Sequence, residues 1–189
     1  MRVLVTGASG SGTTTLGRAL ARELQVAFFD ADDYFWVPTE PPYQQQRDPS
    51  ARLSLLVADL AKVPQSVTSG SVINWGGELE DSFSLIVFLT LQPELRLARL
   101  REREVARFGR VDSKFLEWAT QYDESSVDVN SRTGDERWLT KRSSPVLRLE
   151  GDISVPERVA RVAKALSNCS SSRHVVSATG ADRRRSTRR

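Results

Sequence analysis

The chain has 189 residues, enough for one α/β domain with a full core and too few for two. A single cysteine, Cys169, and a single histidine, His174, exclude an internal disulfide framework and a Cys-based zinc site, and they all but exclude histidine-dependent triads. The formal net charge of +3 is unevenly spread: residues 168–189 hold six arginines against one aspartate, so that end carries +5 and the body about −2. A near-neutral body argues against a nucleic-acid-binding face on the folded domain. The arginine-rich end reads first as a solvated tail, with weak contact to nucleic acid or acidic lipid as the other reading. No apolar run reaches membrane-spanning length and no signal peptide is legible, so a reducing, cytoplasmic setting is expected.

In chain order, Val3-Leu4-Val5 reads as a short buried strand and Leu16 to Leu24 as a helix. Between them lies Gly7-Ala8-Ser9-Gly10-Ser11-Gly12-Thr13-Thr14-Thr15. A strand, a glycine-rich turn and a helix N-terminus make an anion site, because backbone N–H groups and the helix dipole converge where a phosphate sits. The spacing from Gly7 to Gly12 is that of the P-loop, G-x-x-x-x-G-K-[ST], with Thr13 where lysine is usual. Gly7, Gly10, Ser11, Gly12, Thr13, Thr14 and Thr15 are the nucleotide-binding candidates, and Thr14 holds the position whose hydroxyl reaches Mg²⁺. The plainer reading is a glycine-rich strand-to-helix turn.

The stretch resembles the P-loop of the adenylate-kinase-like group, the nucleoside-monophosphate and small-molecule kinases. Archaeal-type cytidylate kinases within that group are similar in carrying G-S-G-T-T-T. Thr13 is therefore compatible with an active enzyme, but the missing ammonium leaves a positive charge to be found elsewhere.

Val26 to Phe29 reads as a second strand, ending at Asp30-Ala31-Asp32-Asp33. Strand–helix–strand at this length is a βαβ unit, so the aspartates and the P-loop share the crevice beyond the carboxyl ends of the strands. A turn rich in Asp also serves as a helix N-cap. Phe29-Asp30-Ala31-Asp32 resembles the F-x-D-x-D segment of shikimate kinases, which implies Asp30 for the metal and Asp32 for the acceptor hydroxyl. The string through Trp36 is also similar to the acidic–aromatic stretch of nucleoside-type kinases, so which Asp does which task, Asp33 included, stays open.

Residues 37–47 hold three prolines and predict an irregular loop with Arg47 near its end, either a clamp for an acidic acceptor group or simply exposed. Asp48-Pro49 predicts a capped helix start. Ser66 to Ser71 reads as a third strand, followed by Trp75-Gly76-Gly77, whose position resembles the acceptor loop of shikimate kinases; a tight turn beside a packed Trp is the alternative. Phe83 to Leu89 reads as a strand buried on both faces. A helix from Pro93 carries Arg96, Arg99, Arg103 and Arg107 on one face, with Arg110 beyond Gly109. Either these form a solvated, salt-bridged face, or the C-terminal ones, Arg103, Arg107 and Arg110, cover the ATP phosphates, with Arg107 the expected finger and Arg96 dispensable. Helices near Phe115–Tyr122 and Arg132–Lys141, a strand at Pro145–Leu149 and a last helix from Pro156 to Leu166 complete the chain. The resemblance implies that Gly151 and Asp152 border the adenine.

The expected fold is α/β, a three-layer P-loop NTPase domain over residues 1–166 with a five-stranded parallel sheet, followed by a disordered Arg-rich tail over 167–189. Strand order 2-3-1-4-5 comes from the resemblance. The expected function is ATP- and Mg²⁺-dependent phosphoryl transfer to a nucleotide or a small hydroxylated metabolite. Catalytic roles fall to Asp32, Arg103 and Arg107, and acceptor binding to Asp32, Asp33, Arg47, Trp75, Gly76 and Gly77. The alternatives are an ATP-binding module without turnover and a nucleic-acid-associated NTPase.

Overall fold

The computed structural model describes residues 1–124 and 130–178, with side chains described through residue 168. Strands β1 (Arg2–Gly7), β2 (Ala27–Asp30), β3 (Ser66–Ser69), β4 (Leu85–Thr90) and β5 (Val146–Glu150) form one parallel sheet in the order β2-β3-β1-β4-β5. The helices between and after them are α1 (Thr13–Leu24), α2 (Ala31–Phe35), α3 (Pro49–Ala61), α4 (Gly77–Glu80), α5 (Pro93–Phe108), α6 (Ser113–Glu124), α7 (Arg132–Leu139) and α8 (Val155–Ala178). This is the expected three-layer P-loop architecture.

Alternation along the central strands builds two cores. Val3, Val5, Leu85, Val87 and Leu89 face α1 and α8 and pack with Leu16, Leu20 and Val162. Leu4, Ile86 and Phe88 face the other way and pack with Leu56 and Leu60 of α3, Leu79 of α4, and Trp138 and Leu139 of α7. Local chemistry sets the helix ends. The Asp48 carboxylate accepts from the amides of Ser50 and Ala51 ahead of Pro49, and Gly109, at φ +69°, ends α5. Helices α2, α3 and α7 each have a side-chain N-cap from Asp30, Asp48 and Ser131, whereas α1 on Gly12, α4 on Gly76 and α5 on Gln92 start with none. The first amides of α1 thus remain without a side-chain acceptor at the glycine turn.

Two elements depart from the sequence reading. The short α4 is legible in neither propensity nor periodicity. It is held by the buried Glu80, whose carboxylate accepts from the Gly76 amide at 3.3 Å and the Trp138 indole at 2.6 Å, and pairs with Arg142 at 3.0 Å. Helix α8 continues to Ala178, beyond the expected helix end at Leu166, and residues 179–189 of the expected tail lie outside the described residues. Among the described residues no helix is long and apolar enough to cross a membrane.

Removing the Glu80 carboxylate strands the buried Trp138 indole N–H and leaves Arg142 with Asp81 alone, at 3.1 Å. Glu80→Ala is therefore expected to lower unfolding free energy by about 1–3 kcal/mol, the range for leaving a buried donor unsatisfied. Urea denaturation checks this, and a loss below about 1 kcal/mol contradicts it.

Candidate active site

The P-loop leaves β1 at Gly7 and enters α1 at Thr13. Gly10 (φ +88°) and Gly12 (φ +96°) adopt backbone geometry that side chains resist. Space is also lacking. A Cβ on Gly7 would lie 2.3 Å from the Leu89 carbonyl oxygen, and one on Gly10 would lie 2.7 Å from that of Arg96. The Ser11 amide donates to the Ala8 carbonyl at 3.1 Å, and Leu16 closes the first helical turn onto Gly12 at 2.9 Å. An uncapped helix start behind two left-handed glycines fits a bound phosphate chain. Thr15 is exposed on α1, whereas Thr13 and Thr14 are half-buried.

The acidic cluster stands beside the loop. Asp30, buried at the end of β2, accepts from the Asp32 amide at 3.3 Å and lies near enough to the Thr14 hydroxyl for it to favour the ionised carboxylate. Desolvation raises its pKa against both. Asp32 follows on α2. Its surface reaches solvent at the cleft mouth, but protein crowding removes enough water to push its pKa up to about 6; Asp30 adds to the rise, and Arg103 opposes it. Asp30 thus does two things at once, since its carboxylate also caps α2. Among the described residues no three His, Cys, Asp or Glu side chains converge as a metal site. Thr14 and Asp30 nonetheless fit Mg²⁺, which takes one or two protein oxygens and completes its shell with phosphates and water.

On the far wall, the two expected arginines part company. Arg103 of α5 acts on Asp32 across the cleft and lies over the Phe115 ring at 5.7 Å. Arg107 instead meets Tyr43 of the proline loop, donating to its hydroxyl at 3.3 Å. Arg110 is exposed in the turn after Gly109. Arg47 spends Nε and Nη2 on the carbonyls of Tyr34 and Trp36, which fastens the proline loop to the end of α2.

Arg96 corrects the sequence reading outright. Only 1% of it is exposed; its guanidinium donates to the Ser9 carbonyl at 3.0 Å, the Ala119 carbonyl at 2.7 Å and Asp123 at 2.6 Å. Helix α6 packs across α5 and covers it, a tertiary contact that helical spacing cannot reveal. Arg99 pairs with Asp152 at 2.6 Å, joining α5 to the turn at Gly151.

Two functional candidates escaped the sequence reading. Arg158 of α8, 3% exposed, donates to the carbonyls of Ser11 at 3.1 Å and Gly151 at 2.9 Å. Arg52 of α3 holds its guanidinium 4.8 Å from the ring centres of both Phe35 and Trp75. Its Nε is buried without a hydrogen-bond partner, it makes no ion pair among the described residues, and desolvation lowers its pKa. Trp75 is itself a buried core residue; Gly76 (φ +135°) follows it, and Gly77 opens α4. Neither arginine belongs to a recognisable motif, so only three-dimensional placement exposes it.

Fold and site together define a P-loop nucleotide-binding protein of the small-molecule kinase type. Comparison with known proteins agrees. Residues 3–116 match the family model described as an AAA domain, and the chain belongs to that family. It is 40% identical over 174 residues to the uncharacterized protein YqaC of Bacillus subtilis, covering 87% of this chain and 96% of that one. It is 30% identical over 134 residues to a shikimate kinase of Bacteroides fragilis, covering 64% of this chain and 75% of the relative. Among solved structures, deoxyadenosine kinase from M. mycoides with bound dATP superposes with a TM-score of 0.59 at 10% identity, over 88% of this chain and all of the other.

Gly12→Val puts a β-branched side chain where φ is +96° and where even a Cβ would lie 3.3 Å from Arg158 Nη1. The folded variant is expected to lose ATP binding by calorimetry. Unchanged affinity contradicts the P-loop assignment.

Proposed function

We propose that the protein transfers the terminal phosphoryl group of ATP to a hydroxyl group of a small acceptor that also carries an anionic group. One observation carries this reading: Thr14, Asp30, Asp32 and Arg103 form a continuous electrostatic chain from the P-loop to the opposite wall. The loop amides would hold the phosphates. Thr14 and Asp30 would hold Mg²⁺, which when bound neutralises phosphate charge. Asp32, ionised above about pH 6, would orient the acceptor hydroxyl and take its proton as oxygen attacks the terminal phosphorus and the bond to the ADP oxygen breaks. Arg103, close enough to lower the Asp32 pKa, suits the charge that develops between them.

The anionic group on the acceptor is inferred from Arg52. A guanidinium desolvated over the Phe35 and Trp75 rings, with no ion pair among the described residues and only the field of Asp48 acting on it, favours an incoming anion beside the Gly76 turn. A cytoplasmic setting, where ATP and Mg²⁺ are supplied, suits this reading. The module without turnover stays in view because Thr13 replaces the usual lysine.

A screen with ATP and Mg²⁺ against hydroxy acids, sugar acids, polyols and nucleoside monophosphates, following ADP, tests the proposal. Acceptor-dependent ADP with an anionic acceptor supports it, and Arg52→Met should then raise the acceptor KM by about tenfold or more with little change in the KM for ATP. Tight ATP binding with no ADP from any acceptor supports the module instead.

Asp32 gives the pH test. Because its pKa is raised, the proton is held below about pH 6 and the base is lost there, so kcat/KM should fall as pH drops through about 6. Asp32→Asn should lower turnover about 10²-fold or more and abolish that limb. The same raised pKa means that the ionised carboxylate opposes folding above pH 6 and not below the unfolded value of 3.8. The variant's Tm should accordingly rise at pH 7.5, with the gain shrinking toward pH 4.

A further inference from the structure

We propose that Arg158 supplies, from behind the P-loop, the positive charge that lysine supplies from within the loop in most P-loop enzymes, with Arg96 as a neutralised brace. The inference rests on the reading of this loop as a nucleotide phosphate site. Arg158 and Arg96 come from helices on different parts of the chain, and both are almost fully buried. Each donates Nη1 to a loop carbonyl, Arg158 to Ser11 at 3.1 Å and Arg96 to Ser9 at 3.0 Å.

The geometry of the peptide unit makes these contacts electrostatically useful. In a trans peptide the C=O and the N–H of one planar unit point opposite ways. The Ser11 carbonyl belongs to the same unit as the Gly12 N–H, and the Ser9 carbonyl to the same unit as the Gly10 N–H. A guanidinium on each carbonyl therefore polarises the glycine N–H on the other side of that unit, and hydrogen bonds in such a chain strengthen one another. Both glycines are the left-handed residues of the loop, whose amides serve a phosphate chain.

The two arginines differ in their charge balance. Arg96 is paired with Asp123 at 2.6 Å, so its net charge at the loop is small. Arg158 has no ion pair among the described residues, while in both arginines Nε is buried without a hydrogen-bond partner. The charges acting on it are Arg99, which is unfavourable, and Asp152, which is favourable; those two pair with each other at 2.6 Å. That leaves one uncompensated buried cation beside Gly12, at the turn where Thr13 stands in place of lysine. A buried cation without a carboxylate is costly alone and is stabilised when an anion arrives. Arg158 is a positioning residue in this account, since it acts through the Ser11–Gly12 peptide.

Calorimetric titration with ATP, inorganic tripolyphosphate and adenosine tests this without requiring turnover. Arg158→Met, of similar length and no charge, should weaken ATP and tripolyphosphate on the order of tenfold while adenosine affinity stays within about twofold. Thr13→Lys added to Arg158→Met should restore most of the loss, which a merely structural role would not produce. If Arg158→Met does not fold, Arg158→Lys is read in its place: a single ammonium nitrogen instead of a fork that spans two carbonyls should weaken tripolyphosphate about threefold with adenosine unmoved. Unchanged tripolyphosphate affinity in a folded variant, or parallel losses for adenosine and ATP, overturns the inference alone. A wild-type protein that binds neither ATP nor tripolyphosphate overturns the phosphate-site reading with it.

Discussion

The constraint on which the rest of the site depends is crowding behind the P-loop. Leu89 closes one side at Gly7, the Arg96 backbone closes another at Gly10, and the Arg158 guanidinium stands behind Gly12. Only backbone fits, so the loop can offer amides and a helix dipole but little formal charge. Thr13 adds a hydroxyl and no cation. Charge must then come from neighbours, and the buried neighbours that touch loop carbonyls are both arginines. Arginine suits this better than lysine because one guanidinium can bridge two carbonyls on separate elements, as Arg158 does between Ser11 and Gly151.

The second consequence lies with the carboxylates. Asp30 and Asp32 are two residues apart in the chain, one buried and one at the cleft mouth, and each is pushed toward its protonated form. A helix cap alone needs only Asp30. Holding a second carboxylate in the same crevice opposes folding at neutral pH, a cost that a helix cap does not explain and that the proposed role of Asp32 as base does. Thr14 and the Arg103 charge limit that cost, and both come from helices that border the P-loop, α1 and α5.

How much of this was legible in the sequence follows from the range of each interaction. Strand β1, the loop and α1 are contiguous, and their glycines report local backbone geometry, so they are readable from spacing alone. Asp30 and Asp32 are readable for the same reason, since a βαβ unit brings them to the loop. Arg96 was misplaced because helical periodicity assigns a face but not what covers it; α6 does, through Ala119 and Asp123. Arg158 lies 147 residues from Ser11 and Arg52 more than 20 from Trp75, with no motif around either. Glu80 is similar: its partners Trp138 and Arg142 lie far along the chain, so the short α4 it anchors is a product of tertiary contact.

The placement of arginines also explains how one basic stripe divides its work. Along α5, Arg96 points into the loop's support, Arg99 ties down the turn at Gly151, Arg103 faces Asp32 and Arg107 meets the proline loop at Tyr43. Four arginines within about three turns of one helix therefore reach the P-loop, the Gly151 turn, Asp32 and the proline loop. The Arg107–Tyr43 contact is exposed and uncharged on one side, hence weak and easily exchanged, whereas Arg96 is locked by three acceptors. The number of partners thus falls along α5, from the three acceptors on Arg96 to the single hydroxyl on Arg107, while Arg47 ties the end of the proline loop back to the carbonyls of Tyr34 and Trp36.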